Sequence, residues 1–270
     1  MDSSLRYAFG QNWQSFLEHY TPERLEAART SLCRLLNRQD LEGLSFLDAG
    51  SGSGLFSAAA HALGARVRSF DFDTDSVAAT QSLRFDDATS GRWEIDRGSL
   101  LDADYMRALG QYDVVYCWGV AHHTGDMHRA LEHLAATVKP GGTLVLAIYN
   151  DQGKPSRRWL RVKRLYHQYP MLRPLLVAGA WLRLWGVKFA ADLLHARPLH
   201  SWRHYTSDLR GMSAWHDLLD WVGGYPFEVA KPEEIFEFYR RRGFRMERML
   251  TCAGGIGCNE FVFVKLPSAA

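Results

Sequence analysis

Gly50, Gly52 and Gly54 stand at alternate positions behind an acid, Asp48, and a short apolar run that ends at Ala49. Glycines so spaced let the backbone turn sharply and let a ligand sit where a β-carbon would clash. Asp71 closes a second apolar run, Val67 to Asp71, about 20 residues past the first glycine, where an acid takes the hydroxyls of a nucleoside ribose. The adjacent His122 and His123 follow a further apolar run, and imidazole titrates near neutral pH as a general base must. His216 beside Asp217, and His204 beside Tyr205, offer the same chemistry later in the chain. Each feature also has a plain alternative: a tight loop, a surface turn acid, packed or exposed histidines. The glycine pattern is G-x-G-x-G, whereas G-x-G-x-x-G aims a helix N-terminus at a pyrophosphate. It therefore suits a nucleoside ligand without a phosphate.

These residues need a frame that brings them to one edge. Leu44 to Ala49 reads as a buried strand, and Leu55 to Leu63 as a helix stopped by Gly64. Further strands are expected at Val67–Asp71, from Trp93, at Tyr112–Gly119, and from a Pro140-Gly141-Gly142 turn to Ile148. Their alternation with helices predicts a parallel sheet covered on both faces. Thr21-Pro22-Glu23 opens a helix running to about Asn37. Near the C-terminus, a helix over Pro232–Arg242 ends at Gly243, and strands follow at Arg245–Thr251 and Glu260–Val264.

Between these parts lies an insertion from about Asp151 to Phe227. Lys154, Arg157, Arg158 and Arg161 make a basic helical face there, with Trp159, Val162 and Tyr166 on another. A solvated face, an anionic substrate or an anionic membrane surface all fit it. Met171 to Leu194 is apolar but carries Arg173, Arg183 and Lys188. Internal charges cost about 2.5–3.5 kcal/mol each at mid-bilayer, which argues against a spanning helix. A substrate cap, a dimer contact or an interfacial helix remains.

The 270 residues suffice for one large domain or one domain with an insertion, and 47% hydrophobic content with mixed charge excludes a disordered chain. A net charge of +2 gives no bulk attraction to nucleic acid. Met1-Asp2-Ser3-Ser4 does not open as a signal peptide. Cys33, Cys117, Cys252 and Cys258 make no C-x-x-C pair, and the histidines show no zinc spacing, so reduced thiols and no metal are expected.

LDAGSGSG, SFDFD, RGSLLD, YDVVYCWGVAHH and VKPGGTLVLAIYN occur in this order. In that order the chain resembles the class I S-adenosylmethionine-dependent methyltransferases, most of all the small-molecule methylases of ubiquinone and menaquinone biosynthesis. The resemblance implies an α/β, doubly wound, Rossmann-like sheet of seven strands, the last antiparallel, with a largely helical insertion after the fifth strand. It implies a lid and helix over 1–40, a core over 41–150 and 228–270, and a cap over 151–227. S-adenosylmethionine is then the cofactor, held by Phe9, Trp13, Asp48, Gly50, Ser51, Gly52, Gly54, Asp71, Phe72, Ser99, Leu100 and Trp118. His122, His123 and His216 become base candidates, and Tyr149, His204, Tyr205 and Trp215 acceptor contacts. The expected acceptor is a small molecule, lipophilic or anionic, methylated at a hydroxyl. Methylation at nitrogen or carbon, of tRNA or protein, and a non-catalytic cofactor-binding subunit are the alternatives. A cytoplasmic protein is expected, with peripheral contact at the inner membrane surface and a homodimer both compatible with the insertion.

Overall fold

The computed structural model describes residues 21–84, 92–204 and 214–267, with Tyr7, Phe9, Gly10 and Trp13 from the N-terminal segment. Tyr205 lies outside the described residues, as do Arg6, Asn12, Phe16 and Arg210.

Five strands run parallel: β1 (Ser45–Ala49), β2 (Arg66–Asp71), β3 (Trp93–Arg97), β4 (Tyr112–Trp118) and β5 (Val138–Tyr149). Between and before them lie α1 (Pro22–Leu36), α2 (Leu55–Ala62), α3 (Thr74–Ser82), α4 (Ala103–Ala108) and α5 (Met127–Ala136). After β5 the chain forms α6 (Lys154–Gln168), α7 (Arg173–Leu194), α8 (His200–Arg203) and α9 (Ala214–Gly223), and then returns through α10 (Pro232–Arg240). β6 (Phe244–Leu250) and β7 (Cys258–Lys265) complete a seven-stranded sheet of order β3-β2-β1-β4-β5-β7-β6. β7 runs antiparallel to both of its neighbours.

The central strands are apolar because helices cover both faces. Phe46 and Leu47 are neighbours on β1, point to opposite faces, and are both fully buried. Each such side chain contributes about 1.5–3 kcal/mol by leaving water. The insertion has a small core of its own, in which Ala180 on α7 packs with Leu218 and Val222 on α9.

Strand order reverses between the paired neighbours β1 and β4: the chain leaving β1 goes on to β2 on one side, and the chain leaving β4 goes on to β5 on the other. Ligands of open α/β sheets bind at the carboxyl ends of strands at such a point. Gly50, Asp71, Trp118 and Tyr149 all stand at those ends.

Candidate active site

A cavity of about 980 Å³ opens over this edge. That is at the upper end for small-molecule sites, with room for two ligands. On one side it is lined by Asp48, Gly50, Ser51, Gly52, Asp71, Phe72 and Trp118, with Phe9 and Trp13 from the N-terminal segment. Gly54, Ser99 and Leu100 are not among the lining residues. Gly54 instead packs against α3, Leu100 is buried with its carbonyl on His133 Nδ1 at 2.6 Å, and the Ser99 hydroxyl accepts the Leu101 N–H. Arg97 takes their place at the rim, with its guanidinium 5.8 Å from the Phe72 ring.

The glycine loop is tied to β2. Gly50 and Ser51 donate their N–H groups to the Phe70 carbonyl, and Gly52 donates to Asp71 Oδ2 at 3.0 Å. Gly50 has φ +90, and a β-carbon there would lie 2.5 Å from Val120. The loop and the turn after β4 can be this close only because the side chain is missing. Asp73 caps α3 by accepting the Asp75 N–H, and also accepts the Gly10 N–H at 3.0 Å. The Trp13 indole lies over Gly52, where a β-carbon would be 3.0 Å from its Nε1.

Two carboxyls form the floor. Asp48 is fully buried, accepts the Ser57 hydroxyl at 2.5 Å, and is pushed up to about 7 by burial. Enclosure likewise raises Asp71 to about 6, against the N–H groups of Asp73 and Gly52 that favour its ionised form. A carboxylate has about four acceptor positions, so Asp71 retains capacity for ribose hydroxyls. The glycine cradle and this acid fit a nucleoside.

The other half of the cavity is built by Tyr149, His123 and the insertion, through Leu184, Trp185, Lys188, Ala214, Asp217, Leu218, Asp220 and Trp221. The histidine pair is split. His123 lines the cavity, packs at a tilt with its ring centroid 4.9 Å from that of Phe9, and has Nδ1 at 2.6 Å from the Pro226 carbonyl. A carbonyl only accepts, so Nδ1 carries the proton and the lone pair is on Nε2. His122 does not line the cavity and is fully buried, with Nδ1 accepting the Tyr149 N–H at 3.3 Å. Burial pushes its pKa well down, and its Nε2–H finds no acceptor among the described residues. The two rings lie 4.5 Å apart and both pack on Tyr149, yet only His123 reaches the cavity, so of the two base candidates it is the one placed to meet an acceptor.

The loop that carries them is anchored by Glu228, whose carboxylate accepts the N–H groups of Gly125 and Met127. Its own N–H donates to the His122 carbonyl at 2.9 Å.

His216 is buried but does not line the cavity, and neither does Trp215, which is 48% exposed. His204 is exposed and stacks on His200 with ring centroids 4.1 Å apart, also off the cavity. The insertion contributes Asp217, Asp220 and Trp221 of α9 instead. Tyr7, in the N-terminal segment read as a lid, also lines the cavity. Its ring fills the space left by Gly223, its N–H donates to the Tyr225 carbonyl, and its hydroxyl bonds Asp220. Burial first, then Asp220, drives its pKa upward. Nothing local in so short a segment placed Tyr7 against a residue as distant in the chain as Asp220. No cluster of metal-binding side chains occurs among the described residues.

The family model described as "Methyltransferase domain" matches residues 17–206. The chain belongs to that family, and its strand order and glycine loop make it a class I S-adenosylmethionine-dependent methyltransferase. It is 30% identical over 139 residues to the ubiquinone biosynthesis O-methyltransferase of Brucella melitensis biotype 2, and 31% over 140 residues to that of Methylobacterium nodulans. These alignments cover 50% of this chain and 54% of each relative, so the chain spans about half the length of the curated relatives it matches. Among solved structures, the magnesium protoporphyrin IX methyltransferase of Synechocystis PCC 6803 with bound SAH superposes with a TM-score of 0.55 at 16% identity, over 94% of this chain and 93% of that one. An O-methyltransferase family protein from Burkholderia thailandensis gives 0.53 at 15%, over 100% and 66%. At those identities the structures speak for the fold.

Proposed function

We propose that the protein transfers the methyl group of S-adenosylmethionine to a hydroxyl of an aromatic small molecule. The observation that carries this reading is His123, whose Nε2 lone pair belongs to a ring set in an aromatic cavity. The donor, when bound, supplies an already activated methyl group, so alignment carries much of the rate. The chain's own tasks follow from its geometry. Asp71 and the glycine loop hold a ribose, while Trp13 and Phe9 cover it from water. Tyr149 and Trp221 offer faces against which a planar acceptor stacks. His123 takes the hydroxyl proton at Nε2, and the Pro226 carbonyl steadies the resulting imidazolium through Nδ1. The identity to ubiquinone O-methyltransferases supports oxygen as the methylated atom.

His123→Gln is expected to lower turnover of a phenolic acceptor by about 10²–10⁴-fold, with little change in affinity for S-adenosylhomocysteine. Partial recovery at high pH is expected, where the phenol ionises unaided. Wild-type turnover in the variant, assayed with labelled donor, would remove His123 as the base.

A second observation favours a lipophilic acceptor. Leu175, Leu182, Phe189 and Leu193 on α7 recur at spacings of seven, seven and four, and all are exposed. They form one apolar stripe, next to a helix whose Arg157, Arg158, Arg161 and Arg164 face solvent. Such a pairing suits an anionic bilayer surface.

A further inference from the structure

Lys163 is the only lysine or arginine among the described residues that is fully buried. It sits on α6 in a helix whose other basic residues are exposed. Burying an ammonium is unfavourable unless partners replace its water, and a methionine of similar length would fill the same space without that cost. The partners are specific. Lys163 Nζ donates to the Trp221 carbonyl and lies 4.7 Å from the Phe227 ring centroid, 5.1 Å from Trp221 and 5.8 Å from Tyr149. All three distances are within cation–π reach. The rings come from three places in the chain: the end of β5, α9, and the segment after α9. They also touch one another, with Tyr149 5.0 Å from Trp221 and 5.5 Å from Phe227.

Tyr149 and Trp221 line the cavity, whereas Lys163 is behind them and does not. We infer that Lys163, as an ammonium, is a positioning residue that holds Tyr149 and Trp221 in place as the acceptor wall. The inference rests on the reading that this half of the cavity receives an aromatic acceptor. Burial lowers the lysine to about 7, opposed by Asp220, so the post changes charge near neutral pH. The other titratable groups around it are His122 on the turn after β4, His167 on α6 itself, and Tyr149 on β5. Above that pH the amine still donates to the Trp221 carbonyl but loses its attraction for the rings.

The test compares Lys163→Met and Lys163→Gln with wild type, using S-adenosylhomocysteine and catechol as calorimetric probes. Both variants are expected to bind S-adenosylhomocysteine within about twofold of wild type, because Lys163 lines no part of the cavity and none of its three rings is on the donor side. Catechol, titrated with S-adenosylhomocysteine present, is expected to bind about tenfold more weakly to both. A third measurement needs no acceptor. The tryptophan fluorescence difference between wild type and Trp221→Phe should step with pH near 7, and the step should vanish when the same pair carries Lys163→Met. A step that survives Lys163→Met belongs to His122, His167 or Asp220 and overturns the inference. Unchanged catechol affinity, or a parallel loss of S-adenosylhomocysteine binding, also overturns it. If wild type binds no catechol, the aromatic-acceptor reading falls, and the fluorescence step alone decides for or against Lys163. Failure of both variants to fold would mean that the lysine holds the fold rather than the wall.

Discussion

Asp48 carries a carboxyl into the floor of the donor site, where burial makes its charge expensive. Its pKa of about 7 in the folded protein lies above the 3.8 of an unperturbed aspartate. The stability contributed by its protonated form is fully present below pH 3.8, and is lost as pH rises through about 7. Asp48→Asn removes the charge and keeps an oxygen for the Ser57 hydroxyl. The variant is therefore expected to melt higher than wild type at pH 8, by an amount worth at most about 4 kcal/mol, and the gap should close as the pH falls toward 4. A gap independent of pH, measured by calorimetric melting, would show that the ionised carboxyl is not what the fold pays for. At this scale the sequence was legible where a residue type met a strand end, as at Asp48, Asp71 and Tyr149. It was not legible for the histidine pair. The two rings are only 4.5 Å apart and just one lines the cavity, and nothing in His122-His123 says which one the β5 backbone will claim.

The glycine loop is an element whose geometry rests on missing side chains. Gly54 has φ +79, and a β-carbon on it would lie 2.7 Å from the Thr80 backbone Cα on α3. Gly110 has nearly the same backbone, φ +75, with nothing within 4 Å. Gly110→Ala is thus expected to cost about 1–2 kcal/mol for the left-handed conformation alone. Gly54→Ala should cost about 1–3 kcal/mol more, because α3 must move. Denaturant midpoints of the two variants check this, and equal losses would mean that the loop has slack against α3. β1, β2 and β4 were readable because each is a largely apolar run closed by an acid or a glycine. α6 was only half readable. Lys154, Arg157, Arg158 and Arg161 face solvent as their spacing implies, yet Lys163 on the same helix is buried. Its cage comes from residues 149, 221 and 227, and no local pattern announces a partner so distant in sequence. On α9 the sequence offers Trp215, His216, Asp217, Asp220 and Trp221 alike, and only packing decides that Asp217, Asp220 and Trp221 line the cavity while Trp215 and His216 do not.

For the molecule as a whole, charge is nearly balanced at +2, but its distribution is uneven. The insertion gathers exposed arginines on α6 and an apolar stripe on α7, where Leu175 is 70% and Leu182 64% exposed. No helix among the described residues is long and apolar enough to cross a membrane, so the stripe can at most lie in an interface. Each basic side chain near an anionic surface adds about 1 kcal/mol, so four arginines supply about 4 kcal/mol at low salt before any leucine is buried. That attraction is screened within about 10 Å at 0.1 M salt, and the apolar contribution is not. The protein is therefore expected to pellet with phosphatidylserine vesicles at low salt, to be partly released by added salt, and to ignore neutral vesicles. Leu175→Glu with Leu182→Glu should abolish pelleting while leaving S-adenosylhomocysteine affinity unchanged, since neither residue lines the cavity. If wild type stays in the supernatant but sediments as a dimer that the double variant dissociates, the stripe is covered by a second copy of the chain. The acceptor would then reach the cavity from water, with no bilayer needed to deliver it.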